Sequence, residues 1–390
     1  MSLLSFAPGP TQLHPVVPDE LRRMAADGYL SESHRSRAVR SEVVRMNEAL
    51  GVLLGIPAGH RVLLVGSATE AMERILQGGV DARSFHLVNG AFARRFHAMA
   101  RNLGLEAGRA EAPDGQGFRA GEVQIPDGTE LLGMTQNETS TGARIPPHDV
   151  HLLADRAREA GALVAVDLVT GWPTEPVDPA RIDAGFFSVQ KGFGLPAGLG
   201  VIVASPALVE RARERLGRRQ PVGPFFHLPA LADAADRHET VATPNTLAIR
   251  LLARVAEAYV AEGSGSLARR AEEGFARWWE AVAALGLLPF VPEARVRSRT
   301  IAVMELAAQG PVPGPGAGEA APPAATPAAG PVAPAVSADE LRARLRTRGL
   351  VVGDGYGPWK GKLLRVAHFP VQTPTMQATL LEALRAELSA

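Results

Sequence analysis

The 390-residue chain contains no cysteine. Disulfide frameworks, thiolate metal sites and any mechanism with a cysteine nucleophile are therefore excluded, since each needs the sulfur. Net charge is lacking too. Lys+Arg and Asp+Glu both number 41, so the formal charge is zero, and no overall field of one sign marks a nucleic acid or an anionic membrane as partner. There is no apolar run of about 18 residues and no charged-then-apolar start, so the expectation is a soluble cytoplasmic protein with no membrane partner. Internal repeats are absent as well.

What the sequence does have is material for a core: 46% of residues are hydrophobic and 21% charged, at a length that suits two domains. After FAPGPTQLHP, helices are expected at 18–28 and at about 37–55, the second from the spacing of Val43, Val44, Met46, Leu50, Leu53 and Leu54. From residue 61 short apolar runs follow: RVLLVG (61–66), FHLVN (85–89), ELLGMTQN (130–137), ALVAVDLV (162–169), FFSVQ (186–190) and GVIVAS (200–205). Amphipathic segments such as TEAMERIL (69–76) and HDVHLLADRAREAG (148–161) lie between several of them. Continuous apolar strands alternating with helices predict an α/β domain with a mostly parallel sheet covered on both faces. Helices near 246–262 and 266–285 lead to a region with TIAVMEL (300–306), a helix at 337–348, VVG (351–353), LLRVAHF (363–369) and a last helix from about 373. That region reads as a small α+β domain. The division expected is 15–250 for the large α/β domain and 251–390 for the small one, with 1–14 packing nearby. Residues 307–336, almost all Ala, Pro and Gly, are expected to form a mobile insertion. Ser337-Ala-Asp-Glu340 after it has the form of a helix capping box.

Lys191 is the single charged side chain in FFSVQKGFGLPAGLGVIVAS (186–205). A buried ammonium without a partner is costly, so this lysine is paired, deprotonated or covalently occupied, unless it snorkels from a strand end to solvent. A buried lysine held neutral is available for Schiff-base chemistry, and the surrounding glycines would let the backbone lie close to a flat ligand. Asp167 ends the strand ALVAVD, at the edge where open α/β sheets meet their ligands. It either caps a turn or serves as the acidic partner that a pyridine nitrogen needs in pyridoxal phosphate chemistry. In VGSATEAMERIL (65–76), Ser67, Ala68 and Thr69 turn from strand to helix, which makes either a phosphate site or an ordinary N-cap.

TQNETSTG (135–142) offers hydrogen bonds to a ligand or forms a local turn, and Phe92 in VNGAFARRF either stacks on a flat ring or packs in the core. Arg365 lies inside the apolar strand KLLRVAHF, where bidentate binding of a carboxylate is favoured over a structural ion pair. His34 and Arg35 lie in the polar SESHRS (31–36), where a solvated surface charge is the plain reading.

The order GSAT, NGAF, NETSTG, AVD, VQKGFGLPAGLG, ATPNT and LLRVAHF resembles the class V, fold type I aminotransferases that use pyridoxal 5'-phosphate. Within that family the likeness is greatest to the phosphoserine aminotransferases. It runs from FAPGP to about residue 372 and omits the Ala/Pro/Gly stretch. The resemblance implies a fold type I large domain with a seven-stranded type of sheet, and a homodimer with composite active sites. Lys191 would hold the cofactor covalently and move the substrate's Cα proton. Asp167 would face the pyridine nitrogen, Gln190 and Thr139 the ring hydroxyl, and Phe92 the ring face, where the family often has Trp. Ser67, Ala68 and Thr69 would hold the phosphate, with Thr243 reaching it from the neighbouring subunit. Many relatives have Asn-Thr where this chain has Ala242-Thr243. Arg365 would bind the substrate α-carboxylate, and His34 and Arg35 the distal phosphate of phosphoserine. Some phosphoserine enzymes carry an arginine where Thr69 stands, and RVAHF differs from their RASxYN form. The implied partners are amino acids and 2-oxo acids, with small unphosphorylated amino acids as the alternative substrates. A catalytically silent protein on the same scaffold is the reading of another class. A desulfurase of this fold is excluded by the missing cysteine.

Overall fold

Where β-like runs alternate with helices, the chain builds one large sheet. The computed structural model describes residues 3–306 and 336–388. In chain order it contains β1 (Leu4–Phe6), α1 (Val16–Ala26), α2 (Arg37–Leu54), β2 (Arg61–Val65), α3 (Ala68–Gly79), β3 (Arg83–Val88), α4 (Ala91–Asn102) and β4 (Glu106–Glu111). Next come β5 (Leu131–Thr135), the short pair β6 (Asn137–Glu138) and β7 (Ala143–Arg144), α5 (Pro147–Glu159), β8 (Leu163–Asp167), β9 (Ala184–Ser188) and β10 (Gly200–Ala204). Then follow α6 (Pro206–Gly217), α7 (Leu228–Ala235), α8 (Thr246–Glu262) and α9 (Ser264–Ala283). The remainder is β11 (Leu287–Pro289), β12 (Ile301–Leu306), α10 (Ala338–Thr347), β13 (Leu350–Asp354), β14 (Leu364–Ala367) and α11 (Pro374–Leu388).

Seven strands form the large sheet in the order β2-β10-β9-β8-β5-β3-β4. All run the same way except β10, which is antiparallel to both β2 and β9. Successive side chains of a strand point to opposite faces, and here both faces are apolar. Phe187, Val166 and Val201 join one buried cluster, while Phe186, Ala165 and Ile202 join the other. A strand buried on both sides must read as a continuous apolar run, which is why FFSV, LVAV and GVIVA stand out in the sequence. The polar β4 does not stand out. It pairs only with β3 at the sheet edge, its side chains are half-buried or exposed, and an edge strand needs no apolar run.

The second sheet has five strands in the order β1-β13-β14-β12-β11, with β1 parallel to β13 and the other neighbours antiparallel. Its core holds Phe6, Trp278, Met304, Leu341, Val352 and Leu380, among others. Residue 250 lies inside α8, whose buried face from Ala248 to Tyr259 belongs to the larger cluster beside α2. At Ser337 half of the expected capping box forms. Its hydroxyl accepts the Glu340 N–H at 3.2 Å, but the Glu340 carboxylate turns to Arg344 at 2.6 Å. The Ala/Pro/Gly stretch lies outside the described residues up to Ala335. No helix among the described residues is long and apolar enough to cross a membrane.

Candidate active site

The parallel strands of the large sheet end along one edge, where Asp167 closes β8 and Ser188 closes β9. The loop after β2 arrives at the same edge, because Gly200 at the start of β10 pairs with both Val65 and Ser188. A Cβ on Gly200 would lie 2.4 Å from the Ser67 carbonyl carbon and 2.9 Å from the Ala68 nitrogen. Only glycine allows the loop to sit that close. The glycine-rich run after Lys191 thus serves approach of protein backbone to protein backbone at this point.

From this edge a cavity of about 140 Å³ opens, lined by Ser67, Ala68, Thr69, Phe92, Thr139, Asp167, Gln190 and Lys191. Eight of the residues singled out in the sequence therefore share one cavity. Met72, Val169, Arg95 and Ser188 complete its wall.

Ser67 is the N-cap of α3, its hydroxyl accepting the Glu70 N–H at 3.1 Å. The Ala68 N–H donates to the Ser188 hydroxyl at 2.8 Å. The Thr69 N–H, in the first helical turn where the helix itself offers no acceptor, takes no partner among the described residues. The cap reading and the anion reading hold together here: the loop is capped, and its free donor and the positive end of α3 face the cavity.

Asp167 is buried, and its Oδ1 accepts the Val169 N–H at 2.9 Å. Oδ2 receives no hydrogen bond from the described residues. Burial, with a smaller push from Glu138, raises the carboxyl to about 7, against the opposing Val169 bond and the cations Lys191 and Arg95. Lys191 makes no hydrogen bond or ion pair with the described residues, and its Nζ lies 5.2 Å from the Phe92 ring centroid. Its side chain is half-buried, but the ammonium sits in the cavity wall. Burial first, and then Arg365 and Arg95, lower the amine to about 8, while Asp167 and Glu138 oppose the shift. A substantial neutral fraction near pH 8 is the condition for an amine nucleophile.

Phe92 is half-buried and lines the cavity, not the core, with its ring 5.2 Å from that of Tyr356. Thr139 joins Thr170 through their hydroxyls at 3.1 Å, and its carbonyl accepts Arg365 Nη1 at 3.2 Å. Arg365 Nε donates to the Asp354 carbonyl at 2.5 Å. No carboxylate of the described residues pairs with this guanidinium, so the structural ion pair weighed from the sequence is not what holds it. Burial lowers its pKa to about 10.

Three of the expected residues lie elsewhere in the chain. Arg35 is exposed and donates to the His34 ring at 3.3 Å. Thr243 lines a separate cavity of about 320 Å³, with Gly66 and Glu70. Sequence reasoning also missed several members of the site. Glu138 is wholly buried and accepts the Phe92 and Ala93 N–H groups at 3.0 and 2.9 Å, which caps α4. Arg95 stands one turn beyond Phe92 on α4, and recognising that helix would have brought it to light. Ser188 carried a visible signal as the one hydroxyl in FFSV. Tyr356 had none.

The donor set fits pyridoxal phosphate on observations of this chain: a buried carboxylate with one oxygen unpartnered, an unpaired amine of lowered pKa, a helix N-terminus with a free N–H, and an aromatic ring lining the same cavity.

The Aminotransferase class-V family profile matches residues 4–303. A phosphoserine aminotransferase of known structure from Cytophaga hutchinsonii is 30% identical, with a TM-score of 0.87 over 99% of each chain. The phosphoserine aminotransferase of Rhodococcus opacus is 25% identical over 386 residues, which is 97% of this chain and 93% of that protein. The alanine–glyoxylate aminotransferase from Nostoc sp. shares the fold, with a TM-score of 0.80 over 100% of this chain and 96% of the other, at 23% identity. With a fold type I sheet carrying a lysine, an aspartate and a capped helix at one edge, and a profile spanning most of its length, the chain belongs to the class V aminotransferases, enzymes that work with pyridoxal phosphate.

Proposed function

We propose that this aminotransferase exchanges 3-phosphohydroxypyruvate and glutamate for phosphoserine and 2-oxoglutarate, as a step in serine biosynthesis. The observation that carries the reading is the end-to-end likeness to the Cytophaga hutchinsonii phosphoserine aminotransferase, which covers 99% of both chains. Supporting it is the unpaired Arg365 beside Thr139, a cation suited to the α-carboxylate of an amino acid.

The cofactor, when bound, supplies the electron sink that makes the substrate Cα–H acidic. Lys191 would hold the cofactor, and once the substrate's amine has displaced it, its freed neutral amine would take the Cα proton and return it on the other side of the exchange. Asp167 would keep the ring nitrogen protonated, and Ser67, Ala68 and Thr69 would hold the phosphate. Phe92 would pack on the ring face, and Thr139 and Gln190 would serve the ring hydroxyl. In this reading the enzyme is a cytoplasmic homodimer. Thr243 of a second copy completes the phosphate site, and His34 and Arg35 of that copy face the distal phosphate of the substrate.

A second reading, transamination between small unphosphorylated amino acids and glyoxylate, is favoured by the exposure of Arg35 within one chain and by the shared fold with the Nostoc enzyme. A donor panel separates the two. Phosphoserine, alanine and serine are compared as amino donors, with 2-oxoglutarate or glyoxylate as acceptor, in the wild type and in Arg35→Ala. The proposal expects phosphoserine to be the best donor and to suffer far more than alanine from the substitution. Preference for alanine with glyoxylate overturns it.

A further inference from the structure

We infer that Arg95, acting with the hydroxyls of Tyr356 and Thr69, binds the second anionic group of the substrate and selects dianionic amino acids.

Arg95 follows Phe92 by three residues on α4, so the two share a helix face, and the guanidinium carbon lies 5.1 Å from the Phe92 ring centroid. Its Nη1 reaches the Thr69 hydroxyl at 3.5 Å and its Nη2 the Tyr356 hydroxyl at 3.1 Å. In both contacts the arginine donates, so each hydroxyl keeps its own proton to give to an acceptor. Three donors then meet beside the cavity that Thr69 and Arg95 line, with no acceptor of the described residues among them.

The charge balance points the same way. The neighbouring Arg94 pairs with Asp114 at 3.0 Å, whereas Arg95 has no carboxylate within pairing distance among the described residues. Arg365 also lies beside Tyr356, its guanidinium carbon 5.5 Å from that ring, and pairs with no carboxylate among the described residues. Two guanidiniums beside one tyrosine, neither paired with a carboxylate among the described residues, leave positive charge for anions to balance. A substrate with two anionic ends satisfies both: its α-carboxylate on Arg365, its side-chain carboxylate or phosphate on Arg95, which shares that group with the His34–Arg35 pair proposed above. Phosphoserine and glutamate each have two such ends, while alanine has one. The assignment rests on the amino-acid transamination proposed above, but not on which dianionic donor is physiological.

The test uses the cofactor-loaded enzyme and its Arg95→Ala and Arg95→Lys variants. Single-turnover half-reactions are followed with glutamate, phosphoserine and alanine, and cofactor affinity is titrated separately by absorbance. Loss of a charge-assisted contact predicts that half-saturation for glutamate and phosphoserine rises about 10- to 100-fold more than for alanine in Arg95→Ala. Arg95→Lys should recover part of that difference. Equal losses for all three donors, or losses that follow a fall in cofactor affinity, would assign Arg95 to the cofactor phosphate or to the fold and overturn the inference. Wild-type preference for alanine over phosphoserine would sink the phosphoserine reading alone, and the glutamate arm would still decide the role of Arg95.

Discussion

Replacing Asp167 by asparagine in the cofactor-free protein isolates the electrostatic tension built into the site. The carboxyl is 4% exposed, and burial moves it from the ordinary 3.8 to about 7. Because the folded pKa lies above the unfolded one, the folded chain keeps a proton between those values that the unfolded chain has lost. Stability therefore falls as pH rises through this window. The interval from 3.8 to about 7 corresponds to about 4 kcal/mol between acid and neutral pH. The amide of the Asp167→Asn variant does not ionise, and its side-chain oxygen can still accept the Val169 N–H. Urea unfolding, followed by circular dichroism on the cofactor-stripped proteins, should show near-equal stability at pH 4 and a variant that gains steadily on the wild type up to about pH 8. With cofactor present the order should reverse, since the carboxylate then has a cationic partner that asparagine cannot replace. A difference between wild type and variant that stays constant from pH 4 to 8 would refute the reasoning.

Two further perturbations test the supports of the site. Glu138→Gln places an amide NH2 against a set of N–H and O–H donors that the carboxylate now satisfies, with Ser140 Oγ at 2.6 Å among them. It should lower stability by about 1–3 kcal/mol in urea unfolding, and a variant as stable as the wild type would show that α4 does not depend on this cap. Gly9→Val tests the N-terminal segment that backs onto the lysine. A Cβ there would stand 3.1 Å from both Cγ and Cε of Lys191, at a φ of +151° that favours glycine. Turnover should fall with little change in α/β content by circular dichroism. Normal turnover would mean that the lysine arm moves freely.

Much of this arrangement was legible because the sheet is buried on both faces. Continuous apolar strands mark their own ends, so Asp167 and Lys191 stood out as polar interruptions, and the small residues of GSAT marked the strand-to-helix turn. Arg365 was legible for the same reason, as a cation inside an apolar strand. The parts that escaped are those fixed by distant partners. Glu138 caps a helix that begins 47 residues earlier in the chain, and Tyr356 meets Arg95 across 261 residues. Neither pairing leaves a local pattern. β4 escaped because an edge strand can be polar. The glycines after Lys191 were noticed, but Gly200 answers to the backbone of Ser67 and Ala68, a contact that only the folded chain reveals.

Everything proposed for the site depends on Lys191 as the amine that holds the cofactor, and the chain makes a direct measurement simple, since its three lysines are Lys191, Lys360 and Lys362. Borohydride reduction of the cofactor-loaded enzyme, followed by digestion and peptide mass mapping, should place the reduced cofactor's mass on the peptide containing Lys191, and Lys191→Ala should yield no labelled peptide and no turnover. A label on the peptides of Lys360 or Lys362, or full turnover in the alanine variant, would contradict it.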